Sequence, residues 1–416
     1  MSPANRRPRL CQVITTPTDQ YSSGLRTRME AEIARDLGFE VDIVTGVGPT
    51  DARLIRPLHD VTYHRLPALT KYIYPWQDLA AVWRLYGLFR RRQYDVVHTH
   101  LAKAGVVGRL AAGLAGVPVV VHDVHGPVFH PRLSRPRRWL YTFLERLAGR
   151  YTNHYIFYTA HLRDAFISQK IGLRAAKRVI YPGLNLSRFV DQAVSPAAQA
   201  RLRAAWGLAP HHQVLGFVAR MVPGKGQHFL IEALGRLAAR WPDLRLLLVG
   251  GAIWEEEHKY LQRLQDLTAK LGLEDRVIFA GHQTEVLPFY QMFDLFVLPS
   301  LYEGTANVML EALVFGLPVV AFDLAAVQEF CAAAVTICPY AQVAGLAQGL
   351  EQALAAGPGP LPSISLRREL VAKFSSVHWR QNIAAFYTDL IHRPPLGQSE
   401  VDPRPERRRL IIANHK

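Results

Sequence analysis

Short apolar runs alternate with longer amphipathic stretches along most of the chain. Leu10 to Thr15 has the length of a buried strand, a helical pattern covers about Leu25 to Leu37, and Gly38 to Val44 is again strand-like. Strand, helix, strand in that order is a βαβ unit, and its repetition implies an α/β fold with parallel sheets. The pattern continues with strands over Val61 to Leu66, up to His98, Val119 to His122, Tyr155 to Tyr158 and Val179 to Tyr181. Helices are predicted over Trp76 to Arg92, from near Lys103, through Trp139 and Phe143, and over Ala160 to Gln169. Gly105 and Gly108, three apart, would let the Lys103 helix lie close on its sheet.

The second half repeats the alternation. Helices are expected over Pro196 to Trp206, Gln227 to Arg240 and Trp254 to Leu271, with strands over Val214 to Arg220, Leu244 to Val249 and Val277 to Gly281. Phe293 to Leu298, a loop, Asn307 to Phe315 and Val319 to Ala321 then read as strand, loop, helix, strand, with Gly316 and Pro318 as the helix stop. Phe374 to Ile391 reads as a last amphipathic helix. At 416 residues the chain has room for two domains, with boundaries read as 1–190, 191–375, a closing helix over 376–392 and a basic, proline-rich, disordered tail over 394–416.

Charge changes this picture on one side only. The chain carries +15, and residues 1–195 hold 28 Lys and Arg against 14 Asp and Glu. The first half is therefore a cation suited to an anionic partner: nucleic acid, a membrane surface or an acidic substrate. The segment Arg135 to Arg150 is both basic and aromatic; it could lie on anionic lipid or pack on a core with a wet basic face. No apolar run is long enough to cross a bilayer, and three cysteines (Cys11, Cys331, Cys338) offer no disulfide framework, so a reducing cytoplasm is the simplest reading.

Candidate chemistry collects at the carboxyl ends of strands, where ligands bind in such sheets. Glu303 lies in the loop before the Asn307 helix and Glu311 lies within that helix. Backbone N–H groups near Asn307 and Val308 could hold a diphosphate, Glu311 could accept from a vicinal diol, and Glu303 from a second ring. Each Glu alone would ordinarily be a solvated residue; the reading rests on the pair in context. Arg220 and Lys225, on a glycine-containing loop after a strand, suit a diphosphate as fork and point charge. Gly24, at the end of the first strand, could let the backbone approach a phosphate. His98 and His100 alternate as metal ligands might, but a satisfied structural histidine is the commoner case. His125, beside Gly126 at a strand end, is placed for a phosphate or sugar hydroxyl. The acidic run Glu255 to Glu257 suits a helix N-terminus and is given no catalytic role.

These residues resemble glycosyltransferase family 4, over about residues 9–392. The family pattern Pro-Ser-x-x-Glu-Gly, then Glu-Ala and Gly-x-Pro-Val, is kept at Pro299, Ser300, Glu303, Gly304, Glu311, Ala312, Gly316, Pro318 and Val319. The string from His98 to Gly105 resembles enzymes of bacterial surface-polysaccharide pathways and makes Lys103 a candidate acceptor contact. His125 matches a histidine that bonds the donor near its sugar, and the loop at Gly281 and His282 is expected to border the nucleotide base. Departures are Ser23 and Ala219 where the family has Gly, and Asp323 to Glu329 without a Gly-Gly pair.

The resemblance implies two doubly wound, Rossmann-like domains facing across a cleft, the glycosyltransferase B fold, with acceptor in the first domain and a UDP- or GDP-sugar in the second. It implies a retaining transfer with no metal and no cofactor, Arg220 and Lys225 standing in for the ion, and catalytic roles for His125 and Glu303. With the basic first half, it points to a glycan or polyprenyl-diphosphate-linked acceptor, peripheral on the inner face of the membrane. Two alternatives are an epimerase of the same fold and a nucleic-acid-binding protein, the latter suggested by charge alone. A dinucleotide oxidoreductase is disfavoured because no Gly-x-Gly-x-x-Gly follows the first strand.

Overall fold

A computed structural model describes residues 6–15, 22–47, 57–70, 72–126, 128–129, 133–190, 192, 195–331, 334–356 and 362–392. Two all-parallel sheets organise it. The first holds β1 (Arg9–Ile14), β2 (Glu40–Thr45), β3 (Val61–Arg65), β4 (Val96–His100), β5 (Val119–Val124), β6 (His154–Phe157) and β7 (Ala176–Val179) in the order β3-β2-β1-β4-β5-β6-β7. Its helices are α1 (Ser22–Asp36), α2 (Pro75–Arg92), α3 (Ala102–Ala115), α4 (Arg135–Gly149) and α5 (Ala160–Ser168). Strand order reverses direction between β1 and β4, which opens a crevice at their carboxyl ends.

The second sheet holds β8 (Gln213–Val218), β9 (Leu244–Val249), β10 (Val277–Gly281), β11 (Leu295–Leu298), β12 (Val319–Phe322) and β13 (Val335–Cys338) in the order β10-β9-β8-β11-β12-β13. Around it lie α6 (Pro196–Ala204), α7 (Gln227–Leu237), α8 (Glu255–Lys270), α9 (Leu287–Tyr290), α10 (Asn307–Phe315), α11 (Ala325–Cys331), α12 (Val343–Ala355) and α13 (Ile364–Lys373). The central strands are buried on both faces, which explains their unbroken Val and Leu runs.

The chain then returns. In α14 (Ser376–His392), Trp379, Ile383, Phe386 and Tyr387 fall on one face and bury completely in the core of the first sheet, with Phe39, Val41 and Ile156. That spacing is a single helical stripe. Just before it, the Leu184 N–H donates to the Phe374 carbonyl at 2.8 Å, so the two inter-domain crossings run side by side.

Several expectations shift. Helix α1 begins at Ser22 rather than Leu25, so Ser22 to Gly24 form its first turn instead of a loop. The strand expected over Val179 to Tyr181 lies over Ala176–Val179; as an edge strand it carries Lys177 and Arg178, which hide its period. Strand β13 and helices α12 and α13 are elements the sequence pattern did not resolve. The tail over 394–416 lies outside the described residues.

Gly105 and Gly108 do bring α3 onto the sheet: a Cβ on Gly105 would strike the His122 ring, and one on Gly108 would stand 2.7 Å from Thr99 Cγ2. On the same helix Arg109 is fully buried. Its guanidinium donates to Glu145 Oε2 at 2.7 Å, the Tyr155 hydroxyl at 3.0 Å and the Gly105 carbonyl at 2.8 Å, tying α3 to α4 and β6.

Candidate active site

The donor side starts from two loops that glycine lets touch. Gly226 closes a 3-10 turn over Pro223–Lys225 with φ +79, and a Cβ there would run into the Pro299 carbonyl. The turn is thus drawn onto the loop after β11. Lys225 Nζ stands 2.6 Å from Glu303 Oε1, and Ser300 Oγ, fully buried, donates to the same oxygen at 2.7 Å. Arg220, two residues past β8, is 2.9 Å from Glu257 Oε1, while Glu257 Oε2 accepts the Ile253 N–H at 2.9 Å. Glu257 is therefore a positioning residue for Arg220. Its acidic neighbours masked this in the sequence, because all three fit a helix N-terminus equally well; only burial separates Glu257 from them.

Helix α10 is preceded by Ala306, which adopts φ +54 and turns the chain out of the Glu303 loop. Among the described residues no side chain caps its first turn, and the Asn307 Oδ1 is buried without a hydrogen-bond partner. One turn on, Glu311 Oε2 accepts from the Tyr290 hydroxyl at 2.7 Å. Burial pushes the Glu311 carboxyl up to about 7, against the smaller opposing effects of Tyr290 and Arg188.

The shift gives a pH dependence to the binding expected of Glu311. Diol hydroxyls donate, so a nucleoside ribose held here favours the ionised carboxylate. Nucleotide affinity is expected to fall about tenfold per pH unit below pH 7 and to level off above it. Titration calorimetry from pH 5.5 to 8.5 reads this, and Glu311→Gln should flatten the profile while weakening binding throughout.

The first domain meets this site through His125, just past β5. A Cβ on Gly304 would strike the His125 carbonyl, so the Glu303 loop packs directly on the His125 backbone across the cleft. The His125 Nε2 is 3.4 Å from His100 Nδ1, and its ring stands edge-on to Tyr158 at 4.9 Å. Burial first, then Arg26 and His98, pushes the His125 imidazole down to about 3, only partly opposed by Asp123. It is a neutral ring at physiological pH, able to donate or accept but carrying no charge.

The structure thus pairs Lys225 with Glu303 and packs the Glu303 loop on the backbone of His125, with α10 following that loop and Arg220 held apart by Glu257. Gly281 ends β10 with φ +69 and its carbonyl accepts the Gly250 N–H at 2.9 Å; His282 lies against Gly251, on the rim of the same sheet. Gly24 lies in the first turn of α1. Lys103 is held at the start of α3 by Asp78 at 2.6 Å, Thr70 Oγ1 at 2.9 Å and the Tyr72 carbonyl. Tyr72 in turn bonds Glu256 of the second domain at 2.9 Å. A further cross-domain contact comes from Glu329, in the segment that lacks the two glycines. Its carboxylate accepts the N–H groups of Ala160 and His161, at 2.7 and 2.9 Å, and so caps α5.

Known proteins place this geometry. Residues 23–183 match a glycosyl transferase 4-like domain, and residues 212–356 match the glycosyl transferases group 1 domain. Sucrose-phosphate synthase of Thermosynechococcus elongatus superposes with TM-score 0.75 at 22% identity, covering 92% of this chain and 99% of that one. HepE of Anabaena, solved with UDP and glucose, gives 0.71 at 22% over 92% and 100%. The two facing sheets are therefore a glycosyltransferase B fold.

Among curated relatives, D-inositol 3-phosphate glycosyltransferase of Mycobacteroides abscessus is 30% identical over 76% of this chain and 74% of its own length. A UDP-Gal:α-D-GlcNAc-diphosphoundecaprenol α-1,3-galactosyltransferase of Escherichia coli is 29% identical over 62% of this chain; the chain spans 65% of that relative, just under two thirds. The protein belongs to glycosyltransferase family 4.

Proposed function

We propose that the protein transfers a sugar, with retention and without a metal at the diphosphate, from a UDP- or GDP-sugar to a polyprenyl-diphosphate-linked glycan of a cell-surface polysaccharide. The observation that carries this reading is the Lys225–Glu303 pair beside His125, which brings both domains to one point next to the uncapped start of α10. The N–H groups of Asn307 and Val308 would hold the diphosphate, and Arg220 and Lys225 would neutralise it.

The residues divide the work. When a diphosphate draws Lys225 away, Glu303 keeps its bond from Ser300 and turns its free oxygen to the donor sugar. The bond from the anomeric carbon to the phosphate oxygen breaks as the acceptor oxygen forms its own bond on the same face. The acceptor proton passes to the departing phosphate oxygen, whose charge Arg220 and Lys225 stabilise. Neutral His125 hydrogen-bonds the sugar; Glu303 polarises it and forms no covalent bond. The donor relation is tested by thermal-shift titration with UDP and GDP. One nucleotide should raise the melting temperature by mass action and the shift should vanish in Glu311→Ala; no shift with either would overturn the donor site.

The acceptor side is supported by surface chemistry. Helices α2 and α4 both flank α3. They expose Tyr72, Ile73, Trp76 and Trp83 near one and Trp139 and Phe143, stacked at 5.6 Å, on the other. Arg135, Arg137 and Arg138 are exposed at the start of α4. Aromatic rings with arginines beside them fit an anionic lipid surface, where a polyprenyl acceptor resides. Among the described residues no helix is long and apolar enough to cross a membrane, so contact would be peripheral. The chain should float with anionic but not neutral vesicles, and Trp139→Ser with Phe143→Ser should reduce the floated fraction several-fold. Equal recovery with both vesicle types contradicts docking.

A further inference from the structure

Below His125 lies a buried group of metal-ligating side chains that the transfer chemistry does not use. His98 and His100 are two apart on β4 and point to the same face. Asp123 is the β5 residue paired with His100, and Glu30 comes from the facing turn of α1. All four are completely buried, and ligand atoms from the four lie within 4.8 Å of one another.

The hydrogen-bond count around them does not close. Neither oxygen of Glu30 has a hydrogen-bond partner, nor does His100 Nε2. Glu30 Oε2 instead stands 3.7 Å from His100 Nε2 and 3.7 Å from His98 Nδ1. Neighbouring ligands of a tetrahedral zinc, each at about 2.1 Å, sit roughly 3.4 Å apart. A buried carboxylate without partners is costly, and two unsatisfied atoms that face each other, Glu30 Oε2 and His100 Nε2, leave a place for a bound group. The outer partners are also in place. His98 Nε2 is 2.8 Å from Asp123 Oδ1, which fixes its proton there and makes Nδ1 the acceptor, here toward the Tyr387 hydroxyl at 2.8 Å. Asp123 Oδ2 accepts from Tyr158 at 2.7 Å. Two carboxylates balance a divalent charge; Arg26, over the Tyr158 ring at 4.5 Å, is the nearby cation.

We propose that Glu30, His98 and His100 bind a zinc ion, with Asp123 orienting His98 and the Tyr387 hydroxyl, which here donates to His98 Nδ1 at 2.8 Å, turning away to fill the fourth position. Two nitrogens, a carboxylate and a tyrosine oxygen are a borderline donor set that suits zinc over calcium or magnesium. With no exposed face, the site is structural. It ties α1 and α14 to β4. It also puts the His100 proton on Nδ1, facing His125 Nε2 at 3.4 Å, and so sets the tautomer of the histidine at the cleft. This revises the expectation that the chain has no metal site, and it is independent of how the donor diphosphate is held.

Elemental analysis of the untagged full-length chain, after incubation with micromolar zinc and removal of loose metal, tests it. About one zinc per chain is expected, with under a tenth as much in Glu30→Gln and His100→Gln. Asp123→Asn should bind about 10–100-fold more weakly. Because these variants could unfold, X-ray absorption at the zinc edge of the native protein gives an independent reading. It should show two imidazoles and further oxygen ligands, with no sulfur. A native chain that stays metal-free, variants that fold and still hold zinc, or a spectrum without imidazole would each overturn the site.

Discussion

Lys225→Ala is expected to leave a folded enzyme whose kcat is about 10²–10³ lower, corresponding to roughly 2.7–4 kcal/mol of lost transition-state stabilisation. The side chain is partly exposed and its 2.6 Å contact is with Glu303, so its removal opens no core cavity. On the proposed mechanism, what is lost is the positive charge beside the departing diphosphate. Charge on the leaving group grows as the anomeric bond breaks, so the effect falls more on kcat than on the donor KM. Lys225→Arg should not rescue it. The turn is fixed by Gly224, against Tyr302, and by Gly226, against Pro299, and leaves a site shaped for a compact ammonium. Initial rates at saturating donor, alongside melting curves, separate this from destabilisation. Loss of activity in parallel with loss of fold would contradict the role given to Lys225.

Arg109→Met should cost about 3–5 kcal/mol of stability in the first domain. Arg109 and Glu145 are both buried at 2.7 Å, and one Glu145 oxygen already lacks a hydrogen-bond partner. Removing the arginine leaves a carboxylate with no counter-charge and takes one donor from the Tyr155 hydroxyl. The paired change Arg109→Met with Glu145→Leu should recover most of the loss, since an apolar pair of similar size avoids desolvating two charges. Urea unfolding followed by a probe in the first domain reads both variants. Equal stability of Arg109→Met and the native chain would show the pair to be idle.

These two residues also mark what the sequence discloses. Glu303, the loop lysine and the strand-end histidine were legible as candidates because each lies in a loop just past a strand, and strand ends are visible in a hydrophobic pattern; Glu311 was reached by its spacing from Glu303. The fold was legible for the same reason: central strands bury both faces and read as unbroken apolar runs. Arg109 was not, because a buried arginine in a helix has the same letter as a solvated one. Glu257 was hidden among three acidic residues, and its link to Arg220 joins the first turn of α8 to a loop 37 residues earlier. Glu329 was hidden where missing glycines drew attention to loop geometry and away from the carboxylate that caps α5 in the other domain. Edge strand β7 and the elements over 335–373 were blurred by exposed faces, which carry polar residues without strict period. The histidine pair on β4 was visible, but Glu30 joins it only through tertiary packing.

The most direct measurement is product analysis with a short polyprenyl-diphosphate-linked sugar as acceptor and a panel of UDP- and GDP-sugars as donors. The protein should extend the lipid-linked acceptor by one sugar, release the matching nucleotide diphosphate in equal amount, and keep the donor's anomeric configuration in the new linkage by NMR. An inverted linkage would contradict the front-face chemistry assigned to Glu303, Arg220 and Lys225. Nucleotide release with free sugar and no extended acceptor would contradict the transfer itself.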